Sequence, residues 1–166
     1  MISLVHGDIS NCAADAIVNA ANGQGFMGGW LGRLMKFQGV AESLHYHSRG
    51  VIEKEAKSFC KQSKIRLGDV FVTSAGSLRA KYIFHAVTMM KPGQRTSLET
   101  IEKCVQNIVK TASQYNTMRV AIPLLGTGTG RLSRDDVYHL MVSALKGHEN
   151  IDWMIVTRNT QDKPLW

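Results

Sequence analysis

A chain of 166 residues, 44% hydrophobic and 20% charged, has the size of one domain and enough apolar surface for a core, which argues against disorder. No run approaches the roughly 18 unbroken apolar residues of a membrane-crossing helix. Asp8 and Asp15 interrupt the start, so no signal segment is read there and a cytoplasmic home is expected. Twenty Lys and Arg against 13 Asp and Glu give a net charge of +7, a balance that attracts polyanions such as nucleotides, RNA, DNA or acidic membranes without choosing among them.

Ile2–His6 reads as a β-strand stopped by Gly7-Asp8. Ala16–Asn19 is short and nearly all apolar, as suits a strand covered on both faces. The glycine-rich stretch from Gly23 to Gly32 cannot be regular structure throughout. Val40 to Lys61 has helical spacing, and Gly50 is placed to break it in two. Asp69–Thr73 and Tyr82–Val87 are the next strands, with a turn signal at Ala75-Gly76-Ser77.

A helix follows from about Ser97 to Gln114, its apolar stripe formed by Leu98, Ile101, Val105, Ile108, Val109 and Ala112. Ser97 is its expected N-cap, because the hydroxyl accepts an unpaired first-turn N–H. Val120–Leu125 is a fifth strand. Ser133-Arg134-Asp135-Asp136 resembles a capped helix start, and that helix ends near Gly147. Trp153–Val156 is the last strand. The order β-β-α-β-β-α-β-α-β predicts an α/β fold, a mostly parallel or mixed sheet with helices on both faces. There is no internal repeat and no linker.

The cations Lys54, Lys57, Lys61, Lys64 and Arg66, then Arg131 and Arg134, form no long arm and fit a solvated basic surface as well as a binding one. Cys12, Cys60 and Cys104 are odd in number and widely spaced. They argue against a disulfide scaffold or a zinc knuckle and fit free thiols. His45 and His47 sit two apart on a helix, point in different directions and have no third ligand at suitable spacing, so no metal site is read. His85 reads as a core histidine, and no cofactor is called for.

Two loops at strand ends stand out, because open α/β sheets bind ligands there. One runs from Asn19 to Gly32. The other is Gly126-Thr127-Gly128-Thr129-Gly130-Arg131. Glycine lets backbone N–H groups approach a phosphate closely, although glycine loops also merely turn corners. Neither loop is G-x-x-x-x-G-K-[ST], and the first lacks G-x-G-x-x-G. The pair therefore suggests nucleotide capture rather than phosphoryl transfer or a Rossmann dehydrogenase.

The segments Gly7-Asp8-Ile9, Asp15–Asn22, Gly28-Gly29, Gly68-Asp69-Val70, Tyr82–Val87 and Ile122–Gly130 resemble, in order and spacing, those of the macrodomain family, whose members bind ADP-ribose. The resemblance implies a three-layer α/β/α sandwich with a mixed, mostly parallel central sheet and a cleft at the strand ends, over a single domain spanning 1–166. It implies that Asp8 accepts from the adenine amino group and that the Ile9 backbone lies against the base. Asn22 contacts the distal ribose, and Gly28 and Gly29 border it. Leu125, Gly126, Thr127, Gly128, Thr129 and Gly130 wrap the diphosphate. Asn19 looks like a residue that pins the loop.

The chain departs from the family pattern in places. Hydrolytic members follow their glycines with a small apolar residue and an Asp. Here Trp30-Leu31 follows, and no Asp or Glu occurs from Gly23 to Ala41. Many members carry an aromatic in the second loop; this chain does not, and Trp30 either supplies that wall or packs in the core. Arg158 stands where relatives cover the adenine, as a stacking residue or a plain surface arginine. The segment Arg33 to Gly39 is atypical, and the closing helix of relatives is not read before Trp166.

Three functions follow. The first is a reader of ADP-ribose or a related adenine nucleotide, free or attached to protein or nucleic acid. The second is a hydrolase of ADP-ribosyl or O-acetyl-ADP-ribose bonds working without the loop carboxylate, either by substrate-assisted catalysis or with a water held by Asn22 and the diphosphate. The third is a module for RNA or poly(A).

Overall fold

The computed structural model describes residues 1–34 and 39–160. The strands are β1 (Ile2–His6), β2 (Ala16–Asn22), β3 (Val70–Ser74), β4 (Tyr82–Met89), β5 (Arg119–Pro123) and β6 (Asp152–Thr157). The helices are α1 (Gly29–Leu34), α2 (Val40–His47), α3 (Val51–Gln62), α4 (Leu98–Gln114) and α5 (Arg134–Leu145), with one 3-10 turn at Ile9–Asn11. The long helical stretch does break at Gly50, whose φ of 88° is left-handed and costs a glycine little. Ser97 and Ser133 cap α4 and α5, accepting from the N–H of Thr100 and Asp136 at 3.2 and 3.4 Å. Each such cap contributes about 1 kcal/mol.

Two elements differ from expectation. The short helix α1 lies inside the glycine-rich stretch, where propensity argues against it. Strand β2 runs on to Asn22, because Asn19 through Asn22 pair with His85 through Met89 of β4. Pairing with a neighbour overrides the weak strand preference of Asn and Ala.

The sheet order is β1-β6-β5-β2-β4-β3, parallel throughout except for β3, which pairs antiparallel with β4 at one edge. Alternation along the strands feeds both faces. Ala16 and Val18 of β2 join Phe84, Ile122, Ile108 and Met141 under α4 and α5. Ile17 turns to the other face, with Ile83, Leu44 and Ile52 under α2 and α3. The result is the expected three-layer α/β/α sandwich. Among the described residues no helix is long and apolar enough to cross a membrane. The cysteines are free, and burial pushes the Cys104 thiol up to about 12, which leaves it unreactive.

One polar chain crosses the core. Asn19 donates from Nδ2 to His85 Nδ1 at 3.1 Å, so His85 carries its proton on Nε2 and donates it to Thr73 Oγ1 at 2.9 Å. Thr73 passes its own proton to the Ser74 carbonyl at 3.1 Å. Asn19 therefore anchors a neighbouring strand, not the loop it was expected to pin, because it sits mid-strand facing His85. Phe71 stacks on the imidazole at 4.6 Å.

Burial lowers the His85 pKa from 6.5 to about 3. Between those values the unfolded chain binds a proton that the folded one refuses, so stability rises with pH across that window and falls on acidification. At about 1.4 kcal/mol per unit, this group removes about 2 kcal/mol between pH 7 and 5. Urea unfolding at the two pH values measures the loss, and equal midpoints would contradict it.

Candidate nucleotide-binding cleft

A cleft of about 340 Å³ opens at the carboxyl ends of the parallel strands, the position where such sheets hold ligands. Gly7 and Ile9 beyond β1, with Val156, Thr157 and Arg158 at the end of β6, form one end of it. Pro123, Leu124 and Gly126 to Gly130 beyond β5 form the middle wall. Asn22, Phe26, Thr88 and Met89 close the other end, and Val40, Ala41 and Glu42 of α2 supply the opposite rim.

Asp8 lies between the lining residues Gly7 and Ile9 but is not itself part of the lining, because its carboxylate is taken up by protein donors. Its carboxylate also caps the 3-10 turn, accepting from Ser10 N–H at 3.1 Å and from the Ser10 and Ser43 hydroxyls at 2.8 Å each. Arg158 reaches its other oxygen at 2.7 Å. Burial alone would push this carboxyl up. The bonds from Ser43, Ser10 and Arg158 outweigh it and hold Asp8 well below the usual carboxylate range. Arg158 thus stands at this end of the cleft as an ion-pair partner of Asp8, a role its sequence position did not suggest.

The second glycine loop lines the cleft with backbone N–H groups. Thr127, Arg131 and Leu132 spend their N–H groups on Leu124, Gly128 and Gly126 carbonyls, at 3.5, 3.0 and 3.1 Å. Among the described residues no protein acceptor takes the N–H of Gly126, Gly128, Thr129 or Gly130. Four such donors in one turn on a cleft wall favour an anionic occupant. Gly126, at φ 74°, holds the turn. Leu125 departs from expectation, because its side chain is fully buried among the residues under α4 and α5.

The first loop is pinned from inside. Asn22 Oδ1 accepts from Gln24 and Phe26 N–H, each at 3.1 Å, and Nδ2 donates to the Phe26 carbonyl at 2.8 Å. That leaves one amide N–H for a ligand. Glu53 of α3 is the deeper anchor. Its Oε2 accepts from Met27 and Gly29 N–H at 2.7 and 2.9 Å, and Lys57 reaches Oε1 at 2.5 Å. His45 Nε2 donates to the Gly29 carbonyl at 2.7 Å, so the residue is gripped at both ends of its backbone. Burial raises the Glu53 carboxyl, and Lys57 with the two loop N–H groups more than offsets it, leaving it lowered.

These anchors correct three site expectations. Gly28 and Gly29 lie outside the cleft lining, because the Glu53–His45 grip turns them toward α3. Trp30, in the first turn of α1, is 72% exposed and neither walls the cleft nor packs in the core. Phe26, which sequence reasoning passed over, supplies the aromatic wall beside Asn22. Among the described residues the cleft lining carries one carboxylate. Glu42, one residue beyond the acid-free stretch, is carried onto the cleft rim by the first turn of α2. Leu31 is exposed and outside the lining.

Sequence reasoning missed Glu53 and His45 as well. Helical spacing gives one signal for the first: Glu53, Ala56 and Cys60 share the inward face of α3. His45 and His47 diverge, the second turning its Nδ1 to the Ser43 carbonyl at 2.9 Å. Among the described residues no group of three His, Cys, Asp or Glu stands close enough to hold a metal ion. Residues 35–38 and 161–166, which include part of the atypical rim segment and the chain end, lie outside the described residues.

The model of the Macro domain family matches residues 18–141. The chain belongs to the macrodomain family. An uncharacterised protein of Pyrobaculum aerophilum is 36% identical over 149 residues, covering 87% of this chain and 74% of its own length. Among solved structures, the macrodomain of Mycobacterium tuberculosis DarG superposes with a TM-score of 0.82 at 25% identity, over 96% of this chain and 99% of that one. An Oceanobacillus iheyensis macrodomain variant solved with ADP-ribose superposes with a TM-score of 0.77 at 20% identity, over 95% and 85% of the two chains.

Proposed function

We propose that this macrodomain binds ADP-ribose, or a closely related adenine nucleotide, in the cleft at the strand ends, whether the ADP-ribose is free or attached to a protein or nucleic acid. ADP-ribose binding is the general function of macrodomains. The observation that carries the reading is the turn at Gly126 to Gly130, whose four N–H groups, unclaimed among the described residues, suit a diphosphate. On one side of it, the Ile9 backbone and the Arg158 side chain, which Asp8 holds by an ion pair, line the place that suits an adenine edge. On the other, the spare amide N–H of Asn22 and the ring of Phe26 suit the distal ribose. The reading needs no metal or cofactor. Calorimetric titration with ADP-ribose, with AMP and NAD as controls, tests it.

A second reading, hydrolysis at the distal ribose, is favoured by one observation. Glu42 lines the cleft and is the acidic side chain available there to take a proton from an attacking water. Incubation with an ADP-ribosylated protein tests this. If the chain is a hydrolase, Glu42→Gln lowers turnover at least about a hundredfold, in line with loss of a general base, while ADP-ribose affinity stays within a few-fold. Unchanged turnover would remove Glu42 from the chemistry.

A further inference from the structure

We propose that the outer face of α3 and the residues just after it, with the rings of Phe26 and Trp30, form a track for single-stranded nucleic acid that leads away from the Asn22 end of the cleft. The inference does not depend on which nucleotide the cleft holds.

The charge is concentrated there. Residues 49–66 carry six cations (Arg49, Lys54, Lys57, Lys61, Lys64 and Arg66) against two acids, Glu53 and Glu55. Both acids are engaged by neighbouring protein groups. Glu53 holds the first loop, and Glu55 accepts from the Ser74 N–H and hydroxyl at 2.9 and 2.6 Å. More than half of the chain's net charge of +7 thus lies in one surface element. Lys54, Lys57 and Lys61 are three and four residues apart, which puts them on one side of the helix, stepping by about 4.5 and 6 Å along its axis. Lys64 and Arg66 extend the row past the helix end and are exposed.

One aromatic ring meets this row at a fixed place, and a second is exposed four residues further along the chain. The loop at Gly25 packs directly on the backbone of Ala56 and Lys57, leaving no room for a Cβ. Lys57 Nζ stands 5.1 Å above the Phe26 ring. Trp30 follows Gly29, whose N–H is tied to Glu53 at 2.9 Å. Phe26 is 40% exposed and Trp30 72%, so both offer ring surface from an anchored backbone. A row of ammonium groups neutralises phosphates and releases counterions, while exposed rings stack bases whatever their identity. An acidic peptide would use the lysines and leave the rings without a partner.

The test is fluorescence anisotropy of a labelled oligothymidylate across a salt series. The expected result is binding at low salt with a logarithmic slope of about −2 to −3, since each neutralised single-strand phosphate contributes about −0.7. The combined variant Lys54→Ala, Lys61→Ala, Lys64→Ala should weaken binding at least about tenfold and flatten the slope by about 2. Trp30→Ala should weaken it several-fold and leave the slope alone. ADP-ribose titration of the triple variant should match the wild type, so the track and the cleft can fail separately. The proposal is overturned if the wild type ignores the oligonucleotide at low salt, or if the triple variant binds it equally well. Equal affinity for polyglutamate or phosphatidylserine vesicles, with the same sensitivity to the variants, would also overturn it by revealing a general anion surface.

Discussion

Gly128→Val is expected to lower ADP-ribose affinity at least about a hundredfold, or about 2.7 kcal/mol, while leaving the unfolding midpoint nearly unchanged. A Cβ on Gly128 meets no atom within 4 Å, so the fold has room for the side chain, and that room is the cleft itself. The valine methyls would stand where the diphosphate approaches the loop N–H groups. Gly130→Val separates the two effects. Its Cβ would come within 2.5 Å of the Gly126 carbonyl oxygen and 2.7 Å of Thr96 Cγ2, so the turn must move. That strain should cost about 1–3 kcal/mol of stability, and binding falls with it. Thermal unfolding and titration of both variants check this. Wild-type affinity in Gly128→Val would remove the loop from the binding site.

Glu53→Ala is expected to destabilise the protein by about 2–4 kcal/mol, because it strands the Met27 and Gly29 N–H groups at about 1–3 kcal/mol each. Met27 is 2% exposed and cannot turn to water for a replacement acceptor. Lys57 is part-exposed and can do so, and its loss of partner therefore adds little. Glu53→Gln keeps one oxygen for the loop and should recover a good part of the difference. Chemical denaturation measures both. A change within about 0.5 kcal/mol for the alanine variant, the range of ordinary surface substitutions, would show that the loop does not depend on this anchor.

The six strands were legible because each is a compact, largely apolar run, most of them closed by a nearby Gly, Asp or Asn, and the alternation of strands and helices left few topologies open. The caps at Ser97 and Ser133 and the break at Gly50 were legible for local reasons, a hydroxyl at a helix start and a glycine at a left-handed position. Helix α1 was hidden because its residues begin at Gly29 and include Gly32, and local preference there opposes a helix. The second glycine loop could be read because its three glycines fall within five residues of sequence. Its partners could not: Asp8 and Arg158 are 150 residues apart and meet only through the parallel pairing of β1 with β6. Glu42 and Phe26 were missed for the same reason. The first turn of α2 and the Asn22-pinned loop bring them to the cleft, and no motif marks either one. Trp30 drew attention as the larger aromatic, yet the Glu53–His45 grip turns the chain so that Phe26 takes the wall.

The most direct measurement is calorimetric titration of the whole chain with ADP-ribose, with AMP and NAD run alongside. The account predicts saturable one-to-one binding of ADP-ribose in the micromolar range or tighter, weaker binding of AMP, and loss of the signal in Gly128→Val. No heat with ADP-ribose, from a protein that unfolds cooperatively, would contradict the assignment of the cleft.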